Sequence, residues 1–315
     1  MRPFHIVLFI IVLILFVGVV LINIISNMII YPERNRYQVI IDDLKERLGY
    51  SDAEMDELLS IPYEEFNIAS NYGYNIYGRL FDFKGDKNII LLHRESRNLM
   101  ASYKFLRMYR DLGFNVVMFD ARYHGKSEGK NYTYGYFERW DLKLITDYIT
   151  ERLGPVKMTG FHGESGGAAT ALLSLSVDKR IGFAISDTSF TDLLEVMRNL
   201  EHTFLHTKSK KLLILINQII KRKAGFSLAD VSPLTEIQAM EVPVLFIHSE
   251  KDNIVPAKMS KTLKSFKSGY NDIYIAKDAG HLLGYYLHTD EYEDKVKSFI
   301  NYLEDNCSKY GKTYI

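Results

Sequence analysis

Val156-Lys157-Met158-Thr159-Gly160-Phe161-His162-Gly163-Glu164-Ser165-Gly166-Gly167-Ala168-Ala169-Thr170-Ala171-Leu172-Leu173 carries a mostly apolar run straight into Gly-x-Ser-x-Gly and then into small, helix-forming residues. Glycines around Ser165 let the backbone turn back on itself tightly, so the spacing predicts a serine hydroxyl presented at a sharp strand-to-helix corner. A second match, Gly125-Lys126-Ser127-Glu128-Gly129, leads instead into Lys130, Asn131 and a tyrosine-rich loop. That context predicts a structural turn serine.

Working outward, short apolar runs of the buried-strand type recur at 88–93, 115–120, 182–186, 244–248 and 273–276, after a period-2 hairpin at 64–67 and 74–83. Amphipathic helical patterns separate most of them, at 99–112, 137–153, 168–176 and 292–303. The alternation implies an α/β fold, a mostly parallel central sheet with helices on both faces. Residues 190–236 break the rhythm with helical sequence and no strand, the pattern of a helical cap insertion. Inside it the apolar run 212–220 is flanked by Lys208, Lys210 and Lys211 on one side and Lys221, Arg222 and Lys223 on the other. It is too short to span a bilayer and reads as a cap helix over the core, with a lipid-facing or substrate-gating surface as the alternative.

A serine hydroxyl is a poor nucleophile at neutral pH and needs an imidazole base oriented by an acid. The run 244–248 ends in Ser249-Glu250-Lys251-Asp252-Asn253, which puts Asp252 in a loop at the carboxyl edge of the sheet. Asp252 is the expected acid, with Glu250 and Asp187 as alternatives. The last strand leads into Asp278-Ala279-Gly280-His281, and His281 is the expected base. His93, His124, His162 and His248 sit at or near strand ends and read as scaffold. No His and carboxylate lie at metal-ligand spacing, so neither a metal nor a cofactor is expected.

Together these stretches resemble the serine α/β-hydrolases, in the broad group of monoglyceride lipase-like esterases and serine aminopeptidase-like proteins. The resemblance runs from about residue 66 to residue 303. It rests on His93 and its loop, Phe119-Asp120-Ala121-Arg122-Tyr123-His124-Gly125-Lys126-Ser127-Glu128-Gly129, the Ser165 corner, Pro243 to Asp252 with Asn253-Ile254-Val255-Pro256, and Gly280-His281. Ser165, Asp252 and His281 follow one another in that family's order. The resemblance implies ester hydrolysis through an acyl-enzyme, with the oxyanion held by the backbone N–H groups of Gly166 and Glu95. It implies a small-molecule ester or acyl-lipid substrate; a serine peptidase and a non-catalytic binding module are the alternatives. Two positions depart from the pattern. Arg94 follows His93 where glycine is usual, and Gly166 stands where a larger residue is common. Arg94 either faces solvent or reaches into the cleft and favours an anionic substrate.

The 315 residues suit one large α/β domain plus an appendage. Lys plus Arg and Asp plus Glu both total 39, a balance that leaves no basic footprint for nucleic acid. The single cysteine, Cys307, excludes an intrachain disulfide framework. The appendage is N-terminal: Pro3 to Pro32 holds no Asp, Glu, Lys or Arg, with His5 its one titratable imidazole, and Ile6 to Ile22 is apolar throughout. No small-x-small cleavage site precedes Tyr31, so the segment reads as an uncleaved, single-pass membrane anchor. The expected organisation is an anchor at 1–35, a helical linker at 36–60 and the hydrolase domain at 61–315. Arg34, Arg36, Lys45 and Arg47 oppose Arg2 across the anchor, while a short N-terminal tail favours an extracytoplasmic catalytic body.

Overall fold

The computed structural model describes residues 3–205 and 209–306; Arg2, Lys208 and Cys307 lie outside the described residues. Eight strands form one sheet: β1 (Glu64–Ala69), β2 (Asn75–Phe81), β3 (Lys87–Leu92), β4 (Phe114–Phe119), β5 (Met158–Glu164), β6 (Ile181–Asp187), β7 (Val244–Ser249) and β8 (Asn271–Ala276). Their order is β1-β2-β4-β3-β5-β6-β7-β8. Only β2 runs against its neighbours; from β4 to β8 every pairing is parallel.

The helices are α1 (Pro3–Ile30), α2 (Tyr37–Leu48), α3 (Asp52–Leu59), α4 (Leu106–Asp111), α5 (Glu138–Leu153), α6 (Gly166–Ser174), α7 (Leu193–Leu205), α8 (Lys210–Ala224), α9 (Pro233–Ile237), α10 (Lys258–Phe266), α11 (Gly284–Leu287) and α12 (Thr289–Asp305). Successive strand residues point to opposite faces, so one strand serves two cores. Ile90, Leu92, Val117 and Phe119 join α5, α6 and the cap on one face. Ile89, Leu91, Val116 and Met118 join α2, α3, α4 and α12 on the other. Because β3 to β8 are parallel, their carboxyl ends share one edge, with Glu164 beside Asp187, Asp187 beside Ile247, and Ser249 beside Ala276. Every candidate site residue sits in a loop leaving that edge, except Gly166, which opens α6 there.

Several boundaries differ from the sequence expectation. The stretch 36–59 is two helices, broken where Gly49 caps α2 at φ 67° and Ser51 starts α3 with a capping box to Glu54. The helix expected over 99–112 is a 3-10 turn, Leu99–Phe105, followed by the short α4. α6 begins at Gly166, before the expected residue 168, because a close approach to the sheet demands glycine where propensity disfavours it.

The N-terminal segments are built into the body. Phe4 to Leu21 of α1 is exposed apolar surface, but Ser26 and Ile30 are fully buried. Tyr132 donates its N–H to the Ile30 carbonyl at 2.9 Å, and the Tyr134 hydroxyl reaches the Ile29 carbonyl at 3.2 Å. α8 packs along the same end, with Lys223 donating to Asn27 at 2.8 Å. Ile40, Leu44, Met55 and Leu58 of α2 and α3 are core residues, so 36–60 is a wall of the domain as well as a connection. In α8 Leu213, Ile216 and Ile220 cover the core, while Ile214 and Leu215 face outward.

Candidate active site

β5 ends at Glu164, and Ser165 follows at φ 50°, ψ −115°, a conformation that a side chain with a Cβ adopts only under strain. Close packing enforces it. A Cβ on Gly163 would lie 2.3 Å from the Gly167 carbonyl oxygen, and one on Gly167 2.5 Å from that of Leu92. The Ser165 N–H is pinned to the Asp187 carbonyl at 2.8 Å. The residue is buried, and its hydroxyl caps nothing at the start of α6. Gly166 has its own reason to be glycine here: the Tyr132 hydroxyl lies 2.6 Å from where its Cβ would be.

Asp252 and His281, 29 positions apart, meet at 2.6 Å between Oδ2 and Nδ1. The N–H groups of Ile254 and Val255 both donate to the other oxygen, Oδ1, at 2.8 Å. Burial pushes the Asp252 carboxyl up, yet hydrogen bonds from His248 and His281, with the His281 charge, hold it well below the usual carboxylate range. A carboxylate on Nδ1 fixes the tautomer that leaves Nε2 bare to accept a proton. Nε2 of His281 is buried and has no hydrogen-bond partner among the described residues. Of the alternative acids, Glu250 accepts the Asp278 N–H and Asp187 is bound by Thr188 and Tyr292.

Ser165 and His281 are not hydrogen-bonded to each other. The Ser165 hydroxyl makes one long bond, 3.4 Å, to Oε1 of Glu95, while Oε2 accepts the Gly166 N–H at 3.3 Å. Glu95, expected to serve through its N–H, thus also brings its carboxylate against the serine and the Gly166 donor. That carboxylate occupies the Gly166 N–H, so the donor is open to another acceptor only once the Glu95 side chain swings out. Nothing in the sequence signals this, since it depends on a rotamer in a loop 70 residues away.

The loop holding Glu95 does without glycine after His93 because its left-handed residue is Ser96, at φ 60°, and not Arg94. Two histidines brace it. His93 Nε2 accepts the Ala121 N–H at 2.9 Å and Nδ1 bonds the Arg94 carbonyl at 2.7 Å. His124 Nε2 accepts the Ser96 N–H at 3.1 Å and Nδ1 bonds the Arg122 carbonyl at 3.0 Å. Burial drives His93 down to about 3 and His124 to about 4, so both are neutral struts. His162, also lowered by burial to about 3, is held between the Tyr109 and Tyr292 hydroxyls. His248 bonds Ser260 and Val255 and lies 3.5 Å from Asp252, a contact with the acid made by the turn that follows β7 and without a signal in the sequence.

Two cavities bear on the site, one at this edge and one at the base of α1. One, about 260 Å³, has His281 and Leu282 on its wall beside Arg94 and Glu164. The other, about 350 Å³ and almost wholly apolar, lies between Met28 and Ile29 of α1, Tyr134, Leu200 of α7, and Leu213 and Ile216 of α8. The ring of Tyr134 lies 4.7 Å from that of Tyr132, the residue whose hydroxyl abuts Gly166.

Residues 160–266 match the BD-FAE family model, an esterase-like α/β-hydrolase domain. Among solved structures, the esterase Pf2001 of Pyrococcus furiosus superposes with a TM-score of 0.64 at 23% identity, over 78% of this chain and 94% of that one. The acylaminoacyl peptidase of Pyrococcus horikoshii does so with a TM-score of 0.61 at 17% identity, over 84% of this chain and 45% of that one. These two likenesses concern the fold. The uncharacterized protein YqkD of Bacillus subtilis (strain 168) is 33% identical over 244 residues, 76% of this chain and 80% of its own length. Identity at that level along so much of both sequences goes beyond shared architecture, and the chain belongs with YqkD to one family of α/β-hydrolases.

Proposed function

We propose that the chain is a membrane-anchored serine hydrolase that cleaves carboxylic esters through an acyl-enzyme. The observation that carries this reading is the Asp252–His281 pair with a bare, buried Nε2, at the same sheet edge as a serine held at φ 50°. His281 takes the Ser165 proton as Oγ attacks the ester carbon, and Asp252 orients the imidazole and stabilises its charge. The N–H groups of Gly166 and Glu95 hold the oxyanion, with the Glu95 carboxylate displaced. The protonated imidazole then gives its proton to the leaving alcohol. Water, deprotonated by His281, releases the acid and restores Ser165.

Anchoring draws on α1. Its exposed apolar stretch, 4–21, is about 27 Å long at ~1.5 Å per residue, close to the ~30 Å hydrocarbon core of a bilayer. Cleavage would strip Ile30 from the core, which favours an anchor over a removable signal. The apolar cavity at the base of α1 suits the acyl chain of an ester taken from the membrane.

The test is acid release from p-nitrophenyl esters of increasing chain length by the full chain in micelles. Turnover that depends on Ser165 and improves from acetate toward medium chains is expected; a folded protein that turns over none of them contradicts the proposal. A binding module without turnover draws on the Glu95 carboxylate at the Gly166 N–H, and predicts that Glu95→Ala stays inactive too.

A further inference from the structure

The cavity beside His281 carries more positive charge than ester hydrolysis calls for. Arg47 of α2, Arg94, Arg97 and Lys104 line it, against two carboxylates, Asp43 and Glu164. Lys104 and Glu164 are both buried, lie 2.5 Å apart and neutralise each other. Asp43 is shared, accepting from Arg47 Nε at 2.9 Å and pairing with Arg97 Nη2 at 3.1 Å. Among the described residues Arg94 pairs with no carboxylate; its guanidinium makes only a 3.4 Å bond to the Glu95 carbonyl. Three guanidiniums therefore share one acid.

Such a cluster is unfavourable without a counter-ion. Arg97 registers this: burial pulls its pKa down and the Arg94 charge pulls it further, with Asp43 only partly opposing. The Arg97 side chain is 15% exposed, so water screens it incompletely. Arginines in a concave wall offer forked donors suited to carboxylate or phosphate oxygens. The wall also includes His281, the base of the proposed reaction, and Glu164, the residue before Ser165. α2, which follows directly on the anchor, supplies Arg47 and Asp43. The charged wall and the apolar cavity thus both lie next to membrane-proximal elements.

We infer that this pocket binds a negatively charged group, carboxylate or phosphate, on the ester substrate, with Arg94 as its principal donor. The inference deepens the serine-esterase reading and rests on it. Hydrolysis itself is unchanged: water adds across the acyl–oxygen bond, the hydroxyl going to the carbonyl carbon and the proton to the leaving oxygen. The anion stays on one of the two products.

The experiment uses the full chain in neutral micelles with substrate pairs that differ by one charged group. The phosphate arm compares oleoyl lysophosphatidic acid with mono-oleoylglycerol. The carboxylate arm compares mono-p-nitrophenyl succinate with p-nitrophenyl butyrate. In at least one arm the anionic ester is expected to exceed its neutral partner in kcat/KM by about tenfold, the size of one charge-assisted bond. The arm that shows it identifies the group. Arg94→Gln should lower that anionic-to-neutral ratio to near one, and Arg97→Gln should lower it in the same direction. Added salt should shrink it. Neutral esters cleaved as well as anionic ones in both arms, or a ratio indifferent to Arg94→Gln, overturns the inference and leaves the esterase standing. Folded wild type that neither takes a fluorophosphonate label at Ser165 nor cleaves any ester overturns both.

Discussion

The chain holds the pattern Gly-x-Ser-x-Gly twice, and the two copies have opposite fates. Ser127 is a saturated strut: its hydroxyl donates to the Asp120 carbonyl at 2.6 Å and accepts the Tyr77 N–H at 2.8 Å. Its glycines serve the turn, Gly125 at φ 50° against the Asp120 carboxylate and Gly129 at φ 113° against Arg122. At Ser165 the strain falls on the serine itself, and its hydroxyl is left with one 3.4 Å contact. A saturated hydroxyl stabilises; a strained, weakly held one at the sheet edge that also carries the Asp252–His281 pair is the candidate for chemistry. The motif does not distinguish them, but the element that follows it does.

The contrast is sharpened most by deleting each hydroxyl. Ser165→Ala should cut ester turnover by about 10⁴-fold to 10⁶-fold with the melting temperature nearly unchanged. Ser127→Ala should keep Ser165 chemistry but lose about 1–3 kcal/mol in denaturant unfolding, because the buried Tyr77 N–H is left unpaired. Equal losses of activity would erase the distinction. Next in size, Asp252→Asn should lower kcat by roughly 10⁴-fold through the wrong imidazole tautomer, read in the same assay.

Glu95→Ala acts in the other direction. It removes the carboxylate from the Gly166 N–H while keeping the Glu95 backbone donor, so kcat/KM should rise several-fold; a fall would mean that the carboxylate itself assists turnover. The smallest effect separates the carboxylates of the two regions. Burial pushes Asp120, under the Ser127 turn, up to about 6, against the bonds it accepts from Tyr37, Leu99 and Lys126. A raised carboxyl binds its proton more tightly folded than unfolded, so this group's contribution weakens as pH rises from about 4 through 6. Asp252 is shifted the opposite way: its contribution is full above the ordinary carboxylate range and is lost progressively as pH falls through and below that range. Carboxyl NMR should show Asp120 titrating near 6 and Asp252 still ionised at pH 4. Similar midpoints would contradict this reading of the two sites.

The fold was legible because its signals are local and its topology is constrained. Apolar runs separated by amphipathic helices force a parallel sheet, and parallel strands bring the loops with Ser165, Asp252 and His281 to one edge. What stayed illegible depends on side chains meeting across loops. Tyr132 filling the space over Gly166, Glu95 turning its carboxylate inward, and Arg47 sharing a cavity wall with Arg94 all join segments that periodicity treats separately. The N-terminal segment is a related case. Hydropathy marks where α1 becomes membrane-like, but it is silent on Ile30 packing into the catalytic body.

The measurement closest to the central claim is peptide mapping of the folded, full-length chain after reaction with a fluorophosphonate. The account predicts a covalent adduct on Ser165, abolished by Ser165→Ala, slowed by Asp252→Asn and kept in Ser127→Ala. A folded chain that takes no label, or takes it at Ser127, contradicts the account.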